Sequence, residues 1–315
     1  MSAAPVLVEL VRSGVVESVH RASVVALRPD GSVAVALGVV DRPVFPRSSN
    51  KPLQAVGLLD AGWEPADQEV LALATASHSG QDRHLQVVRR SLAAAGLTEA
   101  ALQCPPLLPL SEPAAHALLA AGGAASALTM NCSGKHAAML ATCVANGWSS
   151  KDYLRPDHPV QQAMTATIER LAGERVAHVA VDGCGAPQHA LTLTGLARAF
   201  ALLATGPGRS AVVAQSMRAH PGLVGGTGRD VTALLEGIEG LVCKDGAEGV
   251  YAAALPDGSA VAVKVADGAT RAAILVLVGG LRALGVTAAV LDRLATAPVL
   301  GGGVPVGELR LRGPL

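Results

Sequence analysis

Aromatic residues are almost missing from this chain, with two each of Phe, Tyr and Trp in 315 residues. Little ring surface is left for stacking on bases or sugars, and the core has to be assembled from Ala, Val and Leu. An excess of one charge is missing too. The 25 basic and 25 acidic residues cancel. No block of like charge offers the footprint of a nucleic-acid or anionic-membrane binder. A small-molecule partner is therefore expected, with no nucleic acid and no membrane. Apolar runs such as Ala272–Leu281 fall well short of the roughly 20 residues needed to span a bilayer. Met1–Val11 lacks a basic segment followed by an apolar core and a small-residue cleavage site. The expectation is a soluble, cytoplasmic protein.

Cysteine is scarce and odd in number. Cys104, Cys132, Cys143, Cys184 and Cys243 are dispersed, which argues against a disulfide framework and leaves metal binding or simple burial. Lysine is scarcer than its partner base: it occurs only at positions 51, 135, 151, 244 and 264, against twenty Arg. Arg keeps its proton in a protein, whereas burial can neutralise Lys and make it a base or a ligand. Lysines retained in an Arg-biased chain therefore invite inspection, and four of the five lie among Gly, Ser or Cys.

What is there in quantity is apolar: half the residues, enough for a sizeable core. Val19–Val25, a Pro29-Asp30-Gly31 turn and alternating Val33, Val35 and Leu37 predict a hairpin within a β segment from Val6 to Leu37. From about Pro52 to Ala233 the pattern is mainly helical. Leu85, Val88 and Leu92 share one face before Gly96, and Ser133 can cap a helix ending near Asn146-Gly147. Strands return at Val250–Leu255 and Ala260–Val265 around Pro256-Asp257-Gly258. A helix from Thr270 to Leu284, a short helix and a last strand near Glu308–Leu311 follow. No linker or repeat divides the chain, so residues 1–315 are expected to form one α/β (α+β) domain. Its sheet comes from both chain ends, flanked by helices around a helical middle.

Four segments can carry chemistry. Ser48-Ser49-Asn50-Lys51 puts a hydroxyl and an amine three residues apart at a probable helix start, with Pro52 tolerated in the first turn. A lysine desolvated in a cleft can take the hydroxyl proton, the Ser-Lys logic of penicillin-recognising enzymes. Eighteen serines and five lysines supply about 0.3 such spacings by chance, and the alternative is an ordinary N-cap beside a solvated lysine. Ala76-Ser77-His78-Ser79-Gly80 is a small-residue turn between helices, able to present a hydroxyl or merely to cap. Lys264 shares one strand face with Ala260, Ala262 and Ala266, at a cleft or in solvent. Asn131–His136 with Asp182–Gly185 gathers Cys132, Lys135, His136 and Cys184 near a helix N-terminus, for metal, reactivity or burial. Gly134-Lys135 is not a phosphate loop, because Thr129 stands where its first Gly belongs.

In order along the chain, Glu17-Ser18 with His20-Arg21, Arg47-Ser48-Ser49 with Lys51-Pro52, Ala76–Ser79 and Asn131–His136 resemble the asparaginase II family of the Rhizobium etli type. The resemblance continues through Asp182-Gly183-Cys184, His220-Pro221, Gly246–Gly249, Val263-Lys264 and Asp267-Gly268. Asp230-Val231-Thr232 departs from the usual aromatic-Asp-Thr order, and Gly301–Gly303 replaces a run in which Asn is often found.

The resemblance implies a fold like that of serine β-lactamases and glutaminases, usually as a homodimer. It also implies hydrolysis of L-asparagine to L-aspartate and ammonia. Two Ser-Lys pairs would act, Ser48 with Lys51 and Ser77 with Lys264. Arg47, His78, His136 and Asp182 would line the substrate site, and Cys132, Lys135 and Cys184 would hold zinc. A glutaminase or other small-amide hydrolase is the neighbouring enzyme reading, and a catalytically silent ligand-binding protein the reading from another class.

Overall fold

The computed structural model describes residues 4–315. Ten strands are formed: β1 (Val6–Arg12), β2 (Val15–Leu27), β3 (Val33–Leu37), β4 (His178–Val181), β5 (Pro187–Ala190), β6 (Val242–Gly246), β7 (Val250–Ala254), β8 (Ala260–Val265), β9 (Thr296–Gly301) and β10 (Val304–Leu311). Eight of them make one antiparallel sheet in the order β6-β7-β8-β2-β1-β10-β9, with β3 also on β2. Both chain ends build this sheet, as the sequence pattern indicates, and twelve α-helices accompany it among the described residues.

The long strand β2 is the shared element. Its first half pairs with β1, and Ala22–Leu27 pair with β8. Those six residues are buried in succession, which requires cover on both faces. Helix Thr270–Ala283 supplies one cover, its Gly280 lying against Val261 of β8. Helix Leu193–Thr205 packs on the same strands, and alternation along β8 turns Ala260, Ala262 and Lys264 away from Val261.

Helix Lys51–Asp60 runs through the interior, buried from Lys51 to Leu59, as an all-round apolar helix must be. Gly57 lets the backbone of Met164 come so close that a Cβ there would stand 2.8 Å from its Cα. With few aromatics available, such close helix approach fills the core. Truncating Leu53 or Leu58 to Ala would cost about 2–5 kcal/mol.

The structure corrects the sequence reading in places. The middle of the chain is mainly helical, as expected, and is interrupted by β4 and β5, which form a separate hairpin that the pattern did not show. Strands β6 and β9 lie outside the expected set. Ser133 is not a cap: helix Ser133–Ala145 starts after Cys132, and the Ser133 hydroxyl bonds Leu128 O instead. No helix among the described residues is long and apolar enough to cross a membrane.

Candidate active site

Arg47–Asn50 form a 3₁₀ turn that runs into helix Lys51–Asp60. The Lys51 N–H donates to Ser48 O, and in 3₁₀ geometry residues three apart eclipse, so Ser48 and Lys51 share a face. Edge strand β6 braces the turn from outside. Gly246 sits so close that a Cβ would stand 2.5 Å from Pro46 O, and only glycine fits.

The buried Lys51 Nζ lies 2.5 Å from Ala76 O, 3.2 Å from Ser77 Oγ and 3.1 Å from Cys132 Sγ, within hydrogen-bond reach of each. Ser48 Oγ is half-buried and has no side-chain hydrogen bond among the described residues. Ser77 follows helix Gln68–Ala74, and its loop is held on both sides: His78 N–H donates to Asn131 O at 3.1 Å, and Ser79 N–H to Gly225 O at 2.9 Å.

His78 is buried with both ring nitrogens used. Gly80 N–H donates to Nδ1 at 3.1 Å, which leaves the proton on Nε2, and Nε2 donates to Ser133 Oγ at 2.9 Å. Burial, then the neighbouring His84 and Lys51, hold its pKa well down, so it is a neutral strut for the Ser77 loop.

Cys132, Lys135, His136 and Cys184 meet beside Lys51. Lys135 Nζ donates to Cys184 Sγ at 3.3 Å. A hydrogen bond from Cys132 is the largest influence lowering the Cys184 pKa, with Lys135 assisting. The same bond, then burial, raises Cys132. Burial opposes charge on Lys135, yet Cys184, Cys132 and Asp182 together raise its pKa. His136 Nδ1 lies 2.7 Å from the Tyr153 hydroxyl, while its Nε2 is buried without a hydrogen-bond partner.

Among the described residues no three His, Cys, Asp or Glu side chains converge to hold a metal. A site here therefore depends on Lys135 as third ligand. Two sulfurs and a deprotonable amine suit zinc in donor type. Cys104, Cys143 and Cys243 are buried as well, and burial pushes the first two thiols up to about 12 and about 11, and the third well up.

At the rim, Arg47 Nε donates to Asp182 Oδ1 at 2.8 Å, and Arg47 Nη1 lies 3.9 Å from Glu248 Oε1. Lys264 donates to the carbonyls of Glu248 and Val265. No hydrogen bond joins it to Ser77 among the described residues. The structure thus brings Ser77 to Lys51 and Arg47 to Asp182, with Lys264 at the rim beside Glu248.

A further buried amine lies on β6, near enough to Lys51 to feel its charge. Lys244 on β6 is fully buried and bonded to Asp245, which also takes Arg229 Nη2 at 2.6 Å. Burial lowers its pKa to about 8, and Lys51 contributes. The signal was present as Lys244-Asp245-Gly246, the Lys-x-Gly run that accompanies Ser-x-x-Lys in penicillin-recognising enzymes.

Residues 8–311 match the family described as L-asparaginase II. The chain belongs to that family. Membership makes this L-asparaginase II family protein a hydrolase. No protein of curated function matches its sequence. Among solved structures it is similar to Mglu in its native form, at 15% identity and a TM-score of 0.44, over 82% of this chain and 62% of that one. The chain thus spans less than two thirds of Mglu. It is also similar to EstCE1, a hydrolase with promiscuous acyltransferase activity, at 12% identity and a TM-score of 0.40, over 88% and 92% of the two chains. Both likenesses are distant.

Proposed function

We propose that this chain hydrolyses the side-chain amide of L-asparagine, giving L-aspartate and ammonia through a serine ester on a serine β-lactamase-like scaffold. The observation that carries the reading is Lys51: one buried amine shares a turn with Ser48 and hydrogen-bonds Ser77 at 3.2 Å.

Ser48 Oγ, free of side-chain partners, attacks the amide carbon while neutral Lys51 takes its proton. The tetrahedral intermediate collapses to a β-aspartyl ester as the amine leaves. Ser77 passes a proton from Lys51 to that amine, and then orients the water that hydrolyses the ester. Asp182 receives the substrate ammonium and Arg47 its α-carboxylate. Cys132, Lys135 and Cys184 would hold zinc, which would anchor the segments that carry them beside the substrate; the ester forms and breaks on the serines.

The test is ammonia release from asparagine and from glutamine, with Ser48→Ala and Ser77→Ala alongside. Ser48→Ala should abolish turnover and the acyl adduct seen by mass spectrometry. Full turnover with an adduct on Ser77 would transfer the nucleophile's role, and glutamine preferred over asparagine would overturn the substrate.

A further inference from the structure

The segment that carries Ser48 is docked on the β4–β5 hairpin along its length. Before the turn, Val44 and Leu191, the residue after β5, exchange both backbone hydrogen bonds, at 2.7 and 3.0 Å. At the rim, Arg47 Nε donates to Asp182 Oδ1 at 2.8 Å. At the inner end, Asn50 Nδ2 donates to Gln188 Oε1 at 3.1 Å, with both side chains buried. Arg47 itself has a φ of 54°, a conformation that a residue with a Cβ keeps only where its surroundings hold it.

Water treats these links differently. The Arg47 side chain is 25% exposed, so solvent competes for its ion pair. The Asn50–Gln188 bond is closed to solvent. Gln188 is aimed by its own neighbour, since its Oε1 also accepts the His189 N–H at 3.3 Å. Its Nε2 is buried without a hydrogen-bond partner among the described residues. A buried donor left without an acceptor weakens a fold, so stability alone does not account for a carboxamide where an apolar chain of the same length would pack.

Both members sit beside groups that act on the substrate in the proposed reaction. Asn50 ends the four-residue turn that holds Ser48. Gln188 follows Pro187, which pairs with Val181, and the Asp182 N–H donates to Ala186 O at 2.9 Å. The end of the hairpin is thus tied together from Asp182 to Gln188. Asp182 holds the substrate ammonium and Ser48 attacks the side-chain amide, so the separation of those two groups measures the length of side chain that the site accepts.

We propose that the Asn50–Gln188 hydrogen bond fixes this separation, which makes the two carboxamides positioning residues for selectivity between amino-acid amides that differ by one methylene. This rests on the asparaginase reading for its substrates. One methylene in a pocket is worth about 10–200-fold, and a misplacement of about 1 Å can cost about a hundredfold in rate. A buried bond that holds the turn to that tolerance is enough to set the preference.

Steady-state kinetics on asparagine and glutamine for wild type, Gln188→Met, Asn50→Leu and the double variant test this. Gln188→Met keeps the length of the side chain and removes the unpartnered N–H, so the melting temperature should hold within a few degrees. The ratio of kcat/KM for the two amides should move about tenfold toward unity. The double variant should be no worse than the worse single one, since both remove one bond. Equal losses on both amides with an unchanged ratio, a wild-type ratio already near unity, or effects that multiply in the double variant would overturn the inference.

Hydrogen–deuterium exchange keeps the two readings apart. Gln188→Met should speed exchange in residues 44–51 with no substrate present. Wild-type protein releasing ammonia from neither amide would sink the functional reading, and exchange would then decide the positioning role by itself. Unchanged exchange at 44–51 would sink the positioning role alone.

Discussion

Lys51 Nζ lies 3.2 Å from Ser77 Oγ and 3.1 Å from Cys132 Sγ, within hydrogen-bond reach of both. One buried amine therefore joins the hydroxyl chemistry to the sulfur cluster, and any change to it is felt in both.

Lys51→Met is expected to lower turnover at least about a thousandfold, the scale of a lost general base. It should leave the melting temperature within a few degrees, because removing a buried amine also removes its desolvation cost. Turnover above about a tenth of wild type would remove Lys51 from the mechanism.

Gly246→Ala tests the brace under the turn. The new Cβ would stand 2.5 Å from Pro46 O, so β6 or the Arg47–Asn50 turn has to shift. Overpacking of this kind costs about 1–3 kcal/mol, and kcat should fall with it, since Ser48 rides on that turn. Destabilisation with unaltered kcat would show that the turn moves independently of β6.

Acid should destabilise the protein well before its carboxylates titrate. Burial lowers both His84 and His189 to about 4, below the unfolded value near 6.5. Between those limits the unfolded chain binds more protons than the folded one. Stability is therefore full above about pH 6.5, falls as pH drops, and levels off below about 4. Each group costs roughly 2 kcal/mol at pH 5. Urea unfolding at pH 7.5, 6 and 5 reads this directly, and a flat profile would contradict it.

Zinc added to metal-free protein should raise the melting temperature by a few degrees at about a hundredfold excess over Kd, by mass action. Cys184→Ser should abolish the rise. An equal rise in both proteins would place the metal elsewhere.

The legible parts of the fold are local ones. The Pro29-Asp30-Gly31 turn and the alternation around it mark the β2–β3 hairpin, and apolar spacing marks helix Thr270–Ala283. Strand β6 was not legible, because Val242–Gly246 carries Lys244 and Asp245, and charged residues speak against a buried strand until their mutual pairing is known. The β4–β5 hairpin was hidden for a related reason: its turn, Asp182–Gly185, reads as a metal or substrate segment, and its strands are only four residues long.

The sequence by itself determined that Ser48 and Lys51 share a face, because a three-residue spacing in one turn is set by backbone geometry. It also placed Cys132, Lys135 and Cys184 among residues able to hold a metal. Only the tertiary structure decided that Lys51 reaches Ser77 and that Lys264 reaches the Glu248 turn. A lysine has a long flexible stem, and its partner is chosen by which loop the packed helices and sheet carry within its reach, which no local spacing encodes.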